Sequence, residues 1–142
     1  MALELISLEE MNARIKEEPC VEGNTLTRNV GVCLEEIEKG CCRAYVDMRE
    51  ELLNPMGMAH GGTLYTLMDV TAGYAAIYAK DTPQLMVTQC SDVHFLRALT
   101  EGRASAEAKV LKAGRKTALV AVEVKNDAGT LCAYGSFELF YT

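Results

Sequence analysis

An α+β fold, an antiparallel sheet with its helices gathered on one face, is what this sequence predicts. Three observations carry that expectation. The segment from Gly62 to Ala79, GTLYTLMDVTAGYAAIYA, is apolar or small on nearly every face and reads as one long, buried helix. Almost everything after Pro83 alternates between apolar and polar residues, the period of half-buried strands. Between those alternating runs stand turn-forming groups: Gly102, Gly114-Arg115 and Asn126-Asp127-Ala128-Gly129.

The elements follow in order. Ser7 and Glu10 form a capping box, and Leu8, Met11 and Ile15 then recur at helical spacing until Pro19. Residues 1–20 are thus expected to be a helical extension that packs one face on the body. A β-rich stretch is expected from about Leu26 to Glu38, and Gly40 turns it into a second strand, Cys41 to Met48. Residues Glu50 to Met58 read as a loop leading into the long helix, which should run to about Lys80, with Asp81-Thr82-Pro83 as its breaker. Four strands follow. Met86 to Leu96 comes first. In the second, Ala104, Ala106, Ala108 and Val110 alternate with Ser105, Glu107 and Lys109. In the third, Val120, Val122 and Val124 alternate with Ala121 and Glu123, and Leu131 to Tyr141 closes the sheet. No repeat or linker interrupts residues 1–142, so one domain is expected.

Composition narrows the function. Net charge is −6 with no cluster of basic residues, which argues against nucleic acid. Hydrophobic residues make up 49 %, an excess that favours contacts between subunits. No apolar run is long enough to span a membrane, and the N-terminal MALELISLEE lacks the basic start of a signal peptide. The six cysteines contain no C-x-x-C spacing, and they read as reduced thiols of a cytoplasmic protein. His60 and His94 lie 34 positions apart without flanking ligands, so no metal site is expected. Cys90 reads as a small core residue and His94 as a packed or surface histidine.

The most informative stretch runs from Asn54 to Asp69: a turn-forming Asn-Pro, a glycine, His60-Gly61-Gly62, and then the apolar helix carrying one acid. Gly61 and Gly62 let a substrate approach the backbone closely. A helix starting there points unpaired N–H groups outward, a setting suited to negative charge. The residues one turn from Asp69 are Tyr65, Thr66, Ala72 and Gly73, none of them basic. An unpaired acid in a buried helix is costly, and perturbed carboxylates concentrate in active sites. The alternative is that Asp69 merely bonds backbone or a tyrosine hydroxyl. Eight residues of helix place Gly61 and Asp69 roughly 12 Å apart. One carbonyl cannot meet both in one chain: either one of them is a bystander, or the site forms between two subunits.

That element order, with Asn54-x-x-Gly57-x-x-His60-Gly61-Gly62, resembles the hotdog fold and specifically the phenylacetate-degradation type of acyl-CoA thioesterase. Gly73, Val87-Thr88, His94-Phe95-Leu96-Arg97, Gly102, Gly114-Arg115 and Asp127-x-Gly129 extend the resemblance over roughly residues 25–141. Ala98 departs from it, since relatives usually carry proline there.

The resemblance implies an antiparallel sheet wrapped around the central helix and a site shared between subunits. In it the Gly61 N–H meets the thioester carbonyl, and Asp69 is nucleophile or general base. Asn54 orients water or carbonyl, and Thr88 stands with Asp69 facing the partner's glycine loop. A homodimer is implied, with pairing of dimers into a homotetramer.

A thioester needs an oxyanion donor and an activated attacker but little help for its leaving thiolate. One backbone donor contributes about 3 kcal/mol, and the carboxylate supplies the attacker. No cofactor is needed. Tyr65, Met68 and Met58 indicate an apolar pocket for an aromatic or medium-length acyl group. His60 reads as a support of the loop with substrate contact, or as a base. Arg97, Arg115 and Lys116 either meet the phosphates of coenzyme A or are solvated strand-end charges. Two other functions fit the fold. A dehydratase or hydratase of acyl thioesters would want a catalytic histidine on the helix, which this helix lacks. A non-catalytic acyl-CoA sensor would normally carry a further domain.

Overall fold

The computed structural model describes residues 5–20 and 25–142. Six strands form one antiparallel sheet in the order β1-β2-β4-β5-β6-β3. They are β1 (Cys33–Glu38), β2 (Cys41–Asp47), β3 (Met86–Phe95), β4 (Arg103–Ala113), β5 (Thr117–Lys125) and β6 (Leu131–Tyr141). The helix α3 (Gly61–Ile77) crosses one face and touches every strand. Its small residues Ala72, Ala75 and Ala76 are fully buried, which lets the sheet approach the helix axis closely. The core lies between them. Val120, Val122, Val124, Phe137 and Leu139 point inward at period two and meet Leu67 and Met68 of α3.

The N-terminal helix α1 (Leu8–Glu17) carries the expected capping box. Ser7 Oγ accepts from the Glu10 N–H at 3.2 Å, and Glu10 Oε2 accepts from the Ser7 N–H at 3.0 Å. It docks on β1 through buried Ile15 and through Asn12, whose carboxamide bonds both the N–H and the carbonyl of Ile37 (3.0 and 2.7 Å).

Several sequence expectations are corrected. The β-rich stretch from Leu26 does not start as strand: α2 (Leu26–Val30) is a short helix, capped by Thr25 and ended by Gly31 in the left-handed region at φ 87°. A three-residue 3₁₀ turn, Glu50–Leu52, interrupts the loop before α3. The cysteines are not all reduced. Cys20 and Cys33 face each other as an isolated antiparallel pair and are joined by a disulfide. Their separation of 13 residues in sequence carries no signal of that proximity. Cys41, Cys42, Cys90 and Cys132 are free. Cys90 is exposed rather than in the core, because β3 is an edge strand whose outer face is uncovered.

The long helix is not buried all round either. Gly62, Tyr65, Thr66, Asp69 and Val70 make an open or half-open stripe along it. Among the described residues no helix is long and apolar enough to cross a membrane.

Candidate active site

The loop before α3 is held by its own asparagine. Asn54 Oδ1 accepts from the N–H groups of Met56 and Met58 (2.9 and 3.2 Å), and Gly57 turns the chain at φ 79°, a conformation that favours glycine. With its oxygen committed to the loop, Asn54 keeps the carboxamide N–H₂ for anything bound beside it.

His60 is the N-cap of α3, and its role is visible in the accounting of the first helical N–H groups. Gly62 N–H donates to His60 Nδ1 at 2.8 Å, while Thr63 and Leu64 donate to the His60 carbonyl at 2.9 and 3.3 Å. Among the described residues nothing accepts from the Gly61 N–H. The helix start therefore offers one free donor, at the end where the helix dipole favours negative charge. Because Nδ1 accepts, the neutral ring carries its proton on Nε2. A cleft of about 330 Å³ opens here, lined by Asn54, Met58, Gly61, Leu64, Phe95 and Arg97 among others. The ring of Phe95 covers Gly61 so closely that a Cβ on Gly61 would lie 3.3 Å from its Cζ.

From Gly61 onward α3 meets β3 on four rungs, each four residues further along one helix face. Gly61 lies beside Phe95, Tyr65 beside Ser91, Asp69 beside Thr88 and Gly73 beside Met86. Tyr65 Oη and Ser91 Oγ are 2.7 Å apart, and the Tyr65 ring tilts on Phe137 with centroids 5.7 Å apart. Thr88 Oγ1 donates to Asp69 Oδ1 at 2.6 Å, so Asp69 is half-buried with a hydroxyl partner, and among the described residues it makes no salt bridge. A register irregularity between Thr88 and Cys90 shifts the strand, so that Thr88, Ser91, Val93 and Phe95 all face the helix.

Residues 56–133 match the family model of the thioesterase superfamily. This chain belongs to the thioesterase superfamily. It is a thioester hydrolase, and its sheet and helix are those of hotdog thioesterases. Solved structures agree. A hypothetical thioesterase of Streptococcus pneumoniae, solved with coenzyme A, is 26 % identical with a TM-score of 0.73, over 79 % of this chain and 86 % of that one. A Streptococcus mutans protein bound to acetyl-CoA is 27 % identical with a TM-score of 0.74, over 79 % and 89 %. The PaaI protein of the E. coli phenylacetic acid degradation operon shares the fold at a TM-score of 0.81 and 21 % identity, over 96 % of each chain.

In this thioesterase the residues singled out from sequence fall into separate groups. Asn54, Gly61 and Arg97 border the cleft, with His60 and Gly62 at its edge; Asp69 and Thr88 pair two turns along the helix. Arg115 and Lys116 are exposed on the turn between β4 and β5, at the far end of α3, where Lys80 Nζ reaches the Arg115 carbonyl at 3.4 Å. Met68 is wholly buried and reaches no surface of the single chain. Among the described residues no group of potential metal ligands occurs. Phe95 and Ser91 were not legible as site residues. Their facing depends on the strand irregularity, which the sequence does not announce.

Proposed function

We propose that this thioesterase hydrolyses an acyl-CoA carrying an aromatic or medium-length acyl group, at a site shared by two protomers. The observation that carries the reading is the pairing of one free helix N–H, on Gly61, with one carboxylate, Asp69, on the same helix face roughly 12 Å away. Too far apart to serve one carbonyl in one chain, they serve it together when Gly61 of one protomer faces Asp69 of its partner. The open stripe on α3 and the uncovered edge of β3, with Val87 53 % and Phe95 54 % exposed, are the surfaces such a pairing covers. Dimers then pair into a tetramer. The coenzyme A in two related structures supports a coenzyme A thioester as the substrate.

In this reading the thioester carbonyl accepts from the Gly61 N–H, with Asn54 Nδ2 beside it. Asp69, oriented by Thr88, drives the attack, by taking a proton from water or by adding to the carbonyl itself. Negative charge gathers on the carbonyl oxygen at the donor left open for it, and the C–S bond then breaks to release the thiolate. His60 and Gly62 shape the loop against the substrate, and Met58 and Tyr65 line the acyl pocket; buried Met68 backs it. Arg97 at the cleft, and Arg115 and Lys116 on the far turn, meet the phosphates.

Subunit mixing tests the reading. Asp69→Asn and Gly61→Val subunits, each inactive alone, should on exchange give mixed dimers with one site intact and one doubly damaged. Random mixing would then restore roughly one quarter of the normal thiol release. A mixture that exchanges subunits and stays inactive refutes the shared site, and an active monomer does so sooner.

A further inference from the structure

A site built from Gly61 of one protomer and Asp69 of its partner occurs twice in a dimer, and the twofold axis exchanges the two copies. Whatever lies midway between Gly61 and Asp69 must then stand at that axis. Two elements fix the midpoint independently. On α3 it is Tyr65, one turn or about 6 Å from each. On β3 the residues beside Gly61 and Asp69 are Phe95 and Thr88, and the point halfway between them falls at Ser91 and Asp92. The two midpoints are bonded to each other, Tyr65 Oη to Ser91 Oγ at 2.7 Å.

We propose that Tyr65, moored by Ser91, stands at the twofold axis and forms one wall common to both active sites, where it sets the length of acyl group each accepts. This inference rests on the shared-site reading above. The ring cannot swing away. One face leans on buried Phe137, the hydroxyl is tethered to β3, and the remainder is open at 36 % exposure in the single chain, toward the stripe the partner covers. An acyl group held between the Gly61 N–H and the partner's carboxylate runs into this ring and its symmetry mate. A chain long enough to pass them would enter the neighbouring site. Both sites therefore share one length limit, set by a pair of aromatic rings rather than by a closed pocket.

The experiment measures thiol release over straight-chain substrates from butanoyl- to hexadecanoyl-CoA and then mixes subunits. Tyr65→Ala should lower kcat/KM on the best native substrate about tenfold, the scale of an altered apolar contact, and shift preference toward longer chains. An unchanged length profile overturns the proposal. In mixtures, Tyr65→Ala should rescue neither Asp69→Asn nor Gly61→Val, because every mixed dimer carries a damaged wall in both sites. Rescue by Tyr65→Ala of either partner, to the level that Asp69→Asn and Gly61→Val reach together, would assign Tyr65 to one site and refute the axial position alone. Failure of Asp69→Asn and Gly61→Val to rescue each other would instead refute the underlying shared site. Tyr65→Phe and Ser91→Ala keep the ring and guard against misfolding. Each should raise KM a few-fold with kcat nearly kept, and the double variant should be no worse than either single. Additive losses overturn the tether.

Discussion

Replacing Asp69 by asparagine separates chemistry from stability in a single substitution. Asparagine matches the volume and keeps an oxygen that can accept from Thr88 Oγ1, now 2.6 Å from Asp69 Oδ1. The geometry of the rung therefore survives, while the charge does not. If Asp69 is the base, turnover should fall at least about 10²-fold, the lower end for general-base loss, which is about 2.7 kcal/mol of barrier. Stability should change far less. The hydrogen bond weakens from charge-assisted to neutral, about 1 kcal/mol, and relief from half-burying a charge offsets part of that. A 1 kcal/mol loss moves the melting temperature of a domain this size by about 2–4 °C. Thiol release from an acyl-CoA panel, read beside thermal melts, distinguishes the two effects. Thr88→Val should cost turnover by leaving Asp69 unoriented, and Thr88→Ser should restore most of it. An Asp69→Asn protein that melts normally and keeps more than about a tenth of kcat/KM refutes the catalytic assignment.

Other outcomes follow from the same geometry. Gly61→Ala places a Cβ 3.3 Å from Phe95 Cζ and crowds the one free N–H; kcat should fall at least about tenfold with folding intact, and unaltered kinetics would mean the carbonyl binds elsewhere. Cys20→Ser opens a loop closed over 13 residues and should lower unfolding stability by up to about 3 kcal/mol, read by denaturant titration; a protein indifferent to the change and to reductant contradicts the disulfide. Cys90 is exposed, but its Sγ bonds Glu138 Oε2 at 3.5 Å, and that carboxylate pushes the thiol pKa up. The thiolate then forms only at higher pH, so Glu138→Gln should bring its formation to lower pH and speed labelling of Cys90 by a disulfide reagent at mildly alkaline pH. Equal rates would sever that link.

Much of the molecule is legible in its residues because local rules and tertiary demands coincide there. The capping box at Ser7, the period-two alternation of β4, β5 and β6, and the turn at Asn126 to Gly129 each follow from a few neighbouring side chains, and each stands where the sequence predicts it. The glycine loop is legible for the same reason. Turn-forming Asn54-Pro55 and Gly57 stand just before the helix start at His60-Gly61, whereas the bonds from Met56 and Met58 N–H to Asn54 Oδ1 appear only in the structure.

Other features depend on which segments meet, and there local patterns are silent. A β-rich reading of Leu26 to Val30 lost to a capped turn of helix between Thr25 and Gly31. Cys20 met Cys33 only because the chain returns on itself beside β1. An apolar helix looked buried on all sides, yet one stripe is left open because the sheet covers only part of its circumference, and Asp69 lies on that stripe.

By itself the sequence determined the α+β class, the succession of the long helix and the four strands after it, and the helix start at His60-Gly61, and it singled out the acid and the glycine of the proposed chemistry. Only the tertiary structure decided which strand residues face that helix. The irregularity after Thr88 rotates β3 so that Phe95, Ser91 and Thr88 meet Gly61, Tyr65 and Asp69, and a one-residue difference in register would have turned those side chains to the opposite face.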